Sequence, residues 1–519
     1  MHKFKNKKIK VLLFLLLILV SKMSFPNINN NWVNKNNCFL INEIKIENAE
    51  LLSDKKQSKL ISKYLHQCLA GNDIQSIVNT ITNEYIKNGY ITSRALISHQ
   101  ERSNNKLTIK VIEGKIKDIF IDNISSQLVN IIFPSYKEKT LNLRDLEHGL
   151  EQLNRLTTSQ YTLDIKPSNS VGYSSIFIVQ KNKRLLFKNQ LTVDNSGTKT
   201  TGEILLANTT TIDSLFGLGE QWGFSLSSNT DLSRSHYSRS YSVSVNIPYG
   251  YWFYQYQLSH SQSSYPFQSY KAQYSYKNKN IDQQFDISRL VYRDNKQRIT
   301  LKGTLKNKKA KTKLGQQALR INSPTLTSLS FSPQYSLTIE RGYLTIYPMV
   351  EMGLSFFGAS SDYIAENSPR SHYRKLSINL SYQHLFINKF SYITSFYGQY
   401  TQDNLYSIER VAIDGIKATR GYKETKLNAN SGFYWRNEIN TPQIKCFLGN
   451  VNFIFALDYG VAHSDKYETK KNKIIGSAIG ASFYYSIFSS QILINKPMFY
   501  PTSLKPDHWS LFWSISFAI

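Results

Sequence analysis

The sequence predicts a mainly β protein: a transmembrane β-barrel of about 16 strands preceded by two small β-α-α-β-β modules. Three observations carry this reading. Polar and apolar residues alternate with period two from about residue 187 to the C-terminus. Helical periodicity occurs in two separated blocks before that point and not after it. The chain also opens on a basic segment followed by a short apolar run, the pattern of an export signal.

The elements justify themselves in chain order. Lys3, Lys5, Lys7, Lys8 and Lys10 precede "VLLFLLLILV" at 11–20. That run is far short of the ~20 apolar residues that span a bilayer as a helix. Residues 1–24 are therefore expected to be a signal peptide, with "SKMSFPN" leaving the cleavage position open. Residues 25–37, "FPNINNNWVNKNN", are polar and rich in Asn, a poor helix former.

The first module is expected over 38–115. "CFLINEIKI" (38–46) alternates as a strand, and "DIQSIVNTITNEYIKNGY" (73–90) sets Ile74, Ile77, Val78, Ile81 and Tyr85 at helical spacing. Asp73 can cap this helix and Gly89 can end it. "RALISHQ" and "KLTIKVIEG" follow as strands. The second module is expected over 116–186. It runs from the strand "GKIKDIFIDN" through the short helix "SQLVNIIF" to "NLRDLEHGLEQLNRL" (142–156). That last helix has Asn142 as its cap and Leu146, Leu150 and Leu153 on one face. "QYTLDIKP" and "SSIFIVQKN" close the module as strands. Such repetition suggests an arm built of modules.

Of three cysteines, Cys38 and Cys68 share the first module and Cys446 is distant. In an exported chain the near pair reads as a disulfide, worth about 3–4 kcal/mol by loop closure. Two buried free thiols are the alternative.

The barrel is expected over 187–519. In "YSVSVNIPYGYWFYQYQLSH" (241–260), Tyr241, Val243, Val245 and Ile247 alternate with polar residues. After the "PYG" turn, Trp252, Tyr254, Tyr256 and Leu258 continue the apolar face. A soluble sandwich shares this period. The 34 Tyr and 28 Phe, the leader and the persistence of the pattern favour a barrel with lipid outside and a wet lumen.

The net charge of +27 is spread along the chain without a recognition helix or an aromatic RNA platform, so no nucleic-acid partner is expected. "KNKKAKTK" (306–313) reads as a solvated loop that could face anionic lipid headgroups. No nucleophile elbow, phosphate loop or paired-histidine zinc motif occurs. An enzyme is not expected, nor a cofactor or a metal.

In order along the chain, "CFLINEIKIENAELL", "CLAGNDI", "YIKNGYITSRALISHQ", "KLTIKVIEGKIKDI", "LNLRDLEHGLEQLNRL", "VGYSSIFI" and "VDNSGTKTTGE" resemble the hemolysin secretion/activation family. These are outer-membrane translocators of two-partner secretion. The resemblance extends through "GLSFFGA" (353–359) and "SGFYWRNEI" (431–439), covering nearly all of the mature chain. It implies two periplasmic POTRA domains before a 16-stranded barrel. It also implies a long loop, around 408–430 here, folded back into the lumen and carrying a V-R-G-Y-type motif.

"KATRGYKE" (417–424) matches that motif at Arg420, Gly421 and Tyr422, with Thr419 in the first position. The family's F-x-D-x-G strand motif is similar to "ALDYG" (456–460), which keeps Asp458 and Gly460 and has Ala456 for the aromatic. A guanidinium fork on a carboxylate makes two charge-assisted hydrogen bonds, enough to pin such a loop. A surface turn with an incidental arginine is the plain alternative.

By the same resemblance, Asp194, Asn195 and Gly197 mark the opening of the barrel. Tyr90, Arg94, Arg144, Asp145 and Glu147 are candidates for substrate recognition on the POTRA domains. The partner implied is a large secreted exoprotein with an N-terminal secretion domain, of hemolysin, adhesin or growth-inhibition toxin type, which some members also activate. A monomeric barrel in outer-membrane lipid and lipopolysaccharide is implied as well. Many members carry an N-terminal helix that plugs the lumen; the 13 residues 25–37 are too few for a full one. A solute porin and a barrel-assembly factor are the rival readings. The two modules argue against the first, and their small number argues against the second.

Overall fold

The computed structural model describes residues 38–100, 105–122, 127–183, 187–231, 236–269, 272–362, 368–425, 427–447, 449–463 and 472–519. The expected signal peptide and the 25–37 segment, with the expectation that no plug helix forms there, lie outside the described residues. The chain divides into two compact units. One is Met1–Ile116 with Thr140–Leu143 and Ser168–Ser174; the other is Lys117–Lys139, Arg144–Pro167 and Ser175–Ile519.

The first unit runs β1 (Phe39–Ile41), β2 (Glu43–Glu47), α1 (Asp54–Ile61), β3 (Gln67–Leu69), α2 (Gly71–Lys87), β4 (Arg94–Ile97) and β5 (Lys106–Ile112). "CFLINEIKI" is thus two strands. β1 pairs antiparallel with β3, whereas β2 lies parallel to β5 in a sheet ordered β2-β5-β4. The break falls at Asn42, whose N–H bonds the Asn105 carbonyl at 2.9 Å. Cys38 and Cys68 are joined by a disulfide with Cα atoms 5.2 Å apart.

The helical spacing of α2 buries Ile77, Ile81 and Tyr85 completely against Leu69, Ile109 and Val111. Each such burial contributes about 1.5–3 kcal/mol. Asp73 is not the cap residue itself: it sits one turn inside and accepts the Ala70 N–H at 2.9 Å. Gly89 follows the helix at φ 95°, a conformation that costs glycine little.

The second module comprises β6 (Lys115–Ile121), α3 (Gln127–Ile132), α4 (Leu143–Asn154), β7 (Ser159–Pro167) and β8 (Tyr173–Lys183), with sheet order β6-β8-β7. α4 buries Leu146 and Leu153, as its spacing predicts, but leaves Leu150 half-buried and buries His148 and Gln152 as well. In the second unit this helix is bonded to the barrel's near-side turns. The His148 ring stacks on Tyr251 at 4.9 Å, and its Nε2 lies 3.0 Å from the Gly250 carbonyl. Arg293 forks onto Glu151 at 2.6 and 2.7 Å. Arg155 donates to the Gly219 carbonyl at 2.7 Å and lies over the Phe253 ring.

The barrel strands are β9 (Phe187–Asp194), β10 (Leu205–Asp213), β11 (Gln221–Asn229), β12 (Tyr237–Tyr249), β13 (Trp252–Gln268), β14 (Gln273–Arg293), β15 (Gln297–Leu314) and β16 (Thr325–Ile339). They continue as β17 (Gly342–Leu354), β18 (Arg374–Leu385), β19 (Ser391–Tyr400), β20 (Gly432–Asn440), β21 (Gly449–Ala462), β22 (Asn472–Tyr485), β23 (Phe488–Phe499) and β24 (Ser510–Ala518). The closed ring holds eighteen strand segments. Two of them, Gln317–Ala318 and Ile444–Cys446, are short extensions of hairpins, which leaves sixteen that cross. Closure comes from β24 pairing antiparallel with β9, Ser514 opposite Asp194 through Ala518 opposite Gln190.

Turns at the module end are short, as at 250–251, 294–296, 340–341 and 486–487, while the far end carries long connections such as 355–373 and 401–431. The β12–β13 hairpin pairs Val243 with Leu258 and Val245 with Tyr256 on the outer face. Val243, Leu258 and Tyr256 remain exposed there, as a lipid-facing surface requires. "KNKKAKTK" is not a loop: all of it lies within β15. Lysine's flexible polarity hid a strand whose two faces differ.

Candidate functional site

The 401–431 connection is the sixth at the far end, and it folds inward. A short antiparallel ribbon, Val411–Ala412 with Asn428–Ala429, forms its stem. Asp414 knots the bend by accepting from the Thr425 hydroxyl and the Leu427 N–H, each at 2.8 Å. Val411, Ile413, Tyr422 and Ala429 pack with Ala462 and Ile474 of the barrel's inner wall, so the loop shares a small apolar core with the barrel.

Arg420 is among the largest fully buried side chains in the described residues, 1% exposed. Its Nε donates to Asp458 Oδ2 at 2.7 Å and its Nη2 to Oδ1 at 2.8 Å, a two-pronged contact. Its backbone N–H reaches the same carboxylate at 3.0 Å. The remaining Nη1 pairs with Glu438 Oε2 of β20 at 2.8 Å. One guanidinium thus bridges two wall carboxylates with charge-assisted hydrogen bonds, two to Asp458 and one to Glu438.

The neighbouring residues make room for this. Gly421 has φ 96°, and a Cβ there would stand 2.8 Å from the Lys496 carbonyl carbon and the Pro497 nitrogen. Gly460 lets Thr419 approach: a Cβ would lie 2.6 Å from its Oγ1. The Tyr422 hydroxyl lies 2.8 Å from the Ile475 carbonyl and 2.6 Å from the Phe499 carbonyl, sharing its single proton between them. A register shift at Ile475/Gly476 interrupts the β22–β23 ladder at this place.

Three participants escaped sequence reasoning. Gly476 faces Asp458 across the β21–β22 pair, and a Cβ would fall 1.7 Å from the Arg420 carbonyl oxygen. Its signal was "IIGSAIG", a strand with two glycines, which mark a close backbone approach. Glu438 lay within the quoted "SGFYWRNEI" without being singled out. Glu409, in the 3-10 turn Ser407–Glu409, forms a second anchor at the loop's base. Lys308 of β15 reaches its Oε1 at 2.7 Å and Lys375 of β18 its Oε2 at 2.5 Å. Lys375 also approaches Glu351 at 3.6 Å, and the Tyr373 hydroxyl donates to Glu351 at 2.7 Å. The Gln399 side-chain amide bonds the carbonyls of Glu409 and Asn430, both at 3.0 Å, tying the two ends of the loop together.

The other sequence candidates fall elsewhere. Asn195 staples the seam: its side chain donates to the Leu511 carbonyl at 2.7 Å and accepts the Trp513 N–H at 2.8 Å. Asp194 accepts the Ser196 N–H at 2.7 Å, and Gly197 leaves space for the Gly202 carbonyl, 2.1 Å from where a Cβ would be. Arg94 donates to the Ile91 and Ser93 carbonyls, and Tyr90 packs edge-on to Tyr85. Arg144 pairs with Glu147 at 2.8 Å, while Asp145 accepts the Tyr251 hydroxyl and Glu147 approaches Arg293 at 3.8 Å. The carboxylates of α4 are thus engaged with the barrel. Among the described residues no cluster of His, Cys, Asp and Glu could hold a metal ion.

A closed sixteen-stranded barrel with a loop pinned in its lumen and β-α-α-β-β modules ahead of it defines an outer-membrane transporter of the POTRA-barrel class. The model of the haemolysin secretion/activation protein ShlB/FhaC/HecB family matches residues 172–483. A ShlB-type POTRA domain matches 39–114 and a further POTRA domain 115–167. The chain is 32% identical over 473 residues to the outer membrane transporter CdiB of Dickeya dadantii, covering 91% of this chain and 85% of that one. It is 30% identical to the hemolysin transporter protein ShlB of Serratia marcescens over 80% of this chain and 76% of that one. The solved structure of CdiB from Escherichia coli superposes with a TM-score of 0.89 at 27% identity, covering 99% of this chain and 98% of that one.

The chain belongs to the haemolysin secretion/activation protein family. It is an outer-membrane transporter of two-partner secretion, with its POTRA domains in the periplasm and a secreted exoprotein as its partner.

Proposed function

We propose that this transporter exports one large exoprotein, recognised in the periplasm by its N-terminal secretion domain, and that the 401–431 loop gates the lumen through Arg420. The observation that carries the gating is the burial of Arg420 on two wall carboxylates, because a loop held only by surface contacts would not need buried charge.

Recognition is proposed at the first POTRA domain. β1 leaves Phe39 63% and Leu40 50% exposed beside a groove of about 200 Å³ that Ile74, Lys106 and Leu107 also line. An extended segment of the partner adds a strand at such an edge and sets alternate side chains into the groove. The engagement of Asp145 and Glu147 with Tyr251 and Arg293 supports a mainly structural role for α4. The barrel acts as a monomer in outer-membrane lipid. The exported cargo is of hemolysin, adhesin or growth-inhibition toxin type, and the names of the relatives span hemolysin transport.

The test is co-expression with candidate large exoproteins that carry an N-terminal secretion domain, in a host that lacks both transporter and exoprotein. Wild type delivers the partner to the medium, and Arg420→Ala delivers none while inserting normally. Retention of every such partner in the periplasm, together with free passage of small solutes, would instead identify a porin.

A further inference from the structure

The lysine-rich stretch 306–313 divides its side chains between the two faces of β15. Even-numbered Lys306 and Lys308 point into the lumen, toward Glu351 at 3.8 Å and Glu409 at 2.7 Å. Odd-numbered Lys309, Lys311 and Lys313 are exposed, while Ala310 and Thr312 between them are buried. Successive strand residues face opposite ways, so these three stand on the outer wall of the barrel.

The adjacent strand adds to them. Register places Lys277 of β14 opposite Lys313, and Lys279 opposite Lys311. Both are exposed. Two directly opposed pairs of like charge are unfavourable in a bare sheet. Among the described residues, no carboxylate lies within ion-pair distance of any of the five, although lumenal Lys302, Lys306 and Lys308 each have one.

Height on the wall says what meets them. β14 has 21 residues and β15 has 18, whereas about 9–11 residues of a tilted strand cross a membrane. On the outer face Phe285 pairs with Leu305, and Ile281 pairs with Lys309. The apolar face therefore gives way to lysine within four residues. At about 3.4 Å per residue and a tilt of about 45°, Lys309 stands ~10 Å and Lys313 ~20 Å beyond Leu305 toward the far end. That is the headgroup level of the outer leaflet, directly above lipid-facing side chains.

We propose that the outer face of β14–β15 is a binding site for the phosphorylated glycolipid of the outer leaflet, lipopolysaccharide. Lys277, Lys279, Lys309, Lys311 and Lys313 take its phosphates, and the acyl chains lie along Phe285, Ile281 and Leu305. The inference rests on the outer-membrane placement of the family. Anionic phosphate relieves the opposed lysine pairs, and the apolar wall below matches the hydrocarbon. A soluble anion would use only the upper half of this surface.

The test measures the affinity of the detergent-solubilised full chain for bis-phosphorylated lipid A and for lipid A stripped of both phosphates. Wild type binds the phosphorylated form at least tenfold more tightly. Changing all five lysines to Gln removes that preference, while the lumenal control Lys306→Gln retains it. If the fivefold variant fails to insert, Lys311→Gln with Lys313→Gln reads the same preference, reduced at least threefold. Equal affinity of wild type for the two lipids, or an undiminished preference in the Gln variants, overturns the proposal. Fractionation and partner secretion are scored separately: a chain that inserts and secretes but shows no phosphate preference refutes the lipid site alone. Absence of the wild-type chain from the outer membrane refutes the outer-membrane placement on which the lipid site rests.

Discussion

Replacing Arg420 with alanine removes one side chain and strands two carboxylates. The Asp458 side chain is fully buried and Glu438 is one-quarter exposed, so while the loop stays docked the first loses its guanidinium, keeps only backbone N–H donors and has no water in exchange. Breaking a buried pair by deleting one member costs about 3–5 kcal/mol, most of it the uncompensated charge. The cost falls on the docked loop, because undocking lets water reach Asp458. At about 1.4 kcal/mol per tenfold, the docked-to-undocked ratio falls by roughly two to three and a half orders of magnitude. Barrel pairing does not involve the Arg420 side chain, so insertion and heat-modifiable migration persist. Hydrogen exchange of the Thr419–Tyr422 amides rises, and secretion per inserted molecule is lost. Arg420→Lys, which keeps the charge without the fork, gives intermediate exchange. Unchanged exchange at these amides would refute the pin. Poor insertion with normal secretion per inserted molecule would make the contact purely architectural.

Other substitutions probe the rest of the site. Gly476→Ala drives a methyl into the Arg420 carbonyl and undocks the loop tip while the barrel still inserts. By contrast, Gly480→Ala, whose Cβ would meet the Ile492 carbonyl at 1.9 Å, lowers insertion itself; both are read by heat-modifiability and amide exchange. Glu409→Gln leaves Lys308 and Lys375 without their shared carboxylate and loosens the loop base by about 3 kcal/mol, measured as faster proteolysis within 401–431. Burial holds the His148 imidazole down to about 4, with Arg298 and Arg293 adding to the effect and the Gly250 carbonyl and Glu151 opposing it. Because the folded value lies below the unfolded ~6.5, the contribution of His148 is complete above pH ~6.5 and is lost as pH falls toward 4, up to about 3 kcal/mol. Exchange protection of α4, corrected for intrinsic rates, therefore drops across that window in wild type and stays flat in His148→Phe.

Legibility followed the spacing of contacts along the chain. The helix α2 and the β12–β13 hairpin were readable because their buried or lipid-facing sides repeat within a few residues. The second module's five elements were readable for the same reason. Arg420, Gly421, Tyr422 and Asp458 were legible through resemblance, since nothing in local periodicity ties residues 38 positions apart. Glu409 and Gly476 stayed hidden: the first depends on strands roughly 34 to 100 residues distant, and the second on a backbone that only the folded loop brings near. Lysine-rich β15 was misread because its lumenal face is charged and its outer face, past the apolar band, is charged as well. Alternation of apolar and polar residues cannot be seen where both faces are wet.

The two anchors of the loop have different mechanical meanings. At the tip, Arg420 holds Asp458 of β21 and Glu438 of β20, strands that are immediate neighbours. At the base, Glu409 holds Lys308 and Lys375, on strands separated by β16 and β17. Unseating the tip exposes one cation and two anions to a wet lumen, where water replaces the lost contacts in part. Unseating the base leaves two lysines that share Glu351, with Asp282 also facing Lys308, but without the carboxylate that bridged them. The second costs more, so the loop should swing from its base with the tip leaving first. A ligand shifts such an equilibrium only by binding the undocked state more tightly than the docked one. The passing chain supplies that difference most directly by offering carboxylates to the freed Arg420 or cationic groups to Asp458. Charge reversal at the tip alone, Arg420→Glu with Asp458→Arg, keeps the attraction but loses the Glu438 contact. It therefore restores docking more fully than it restores secretion, a split that a loop acting only as a passive plug would not produce.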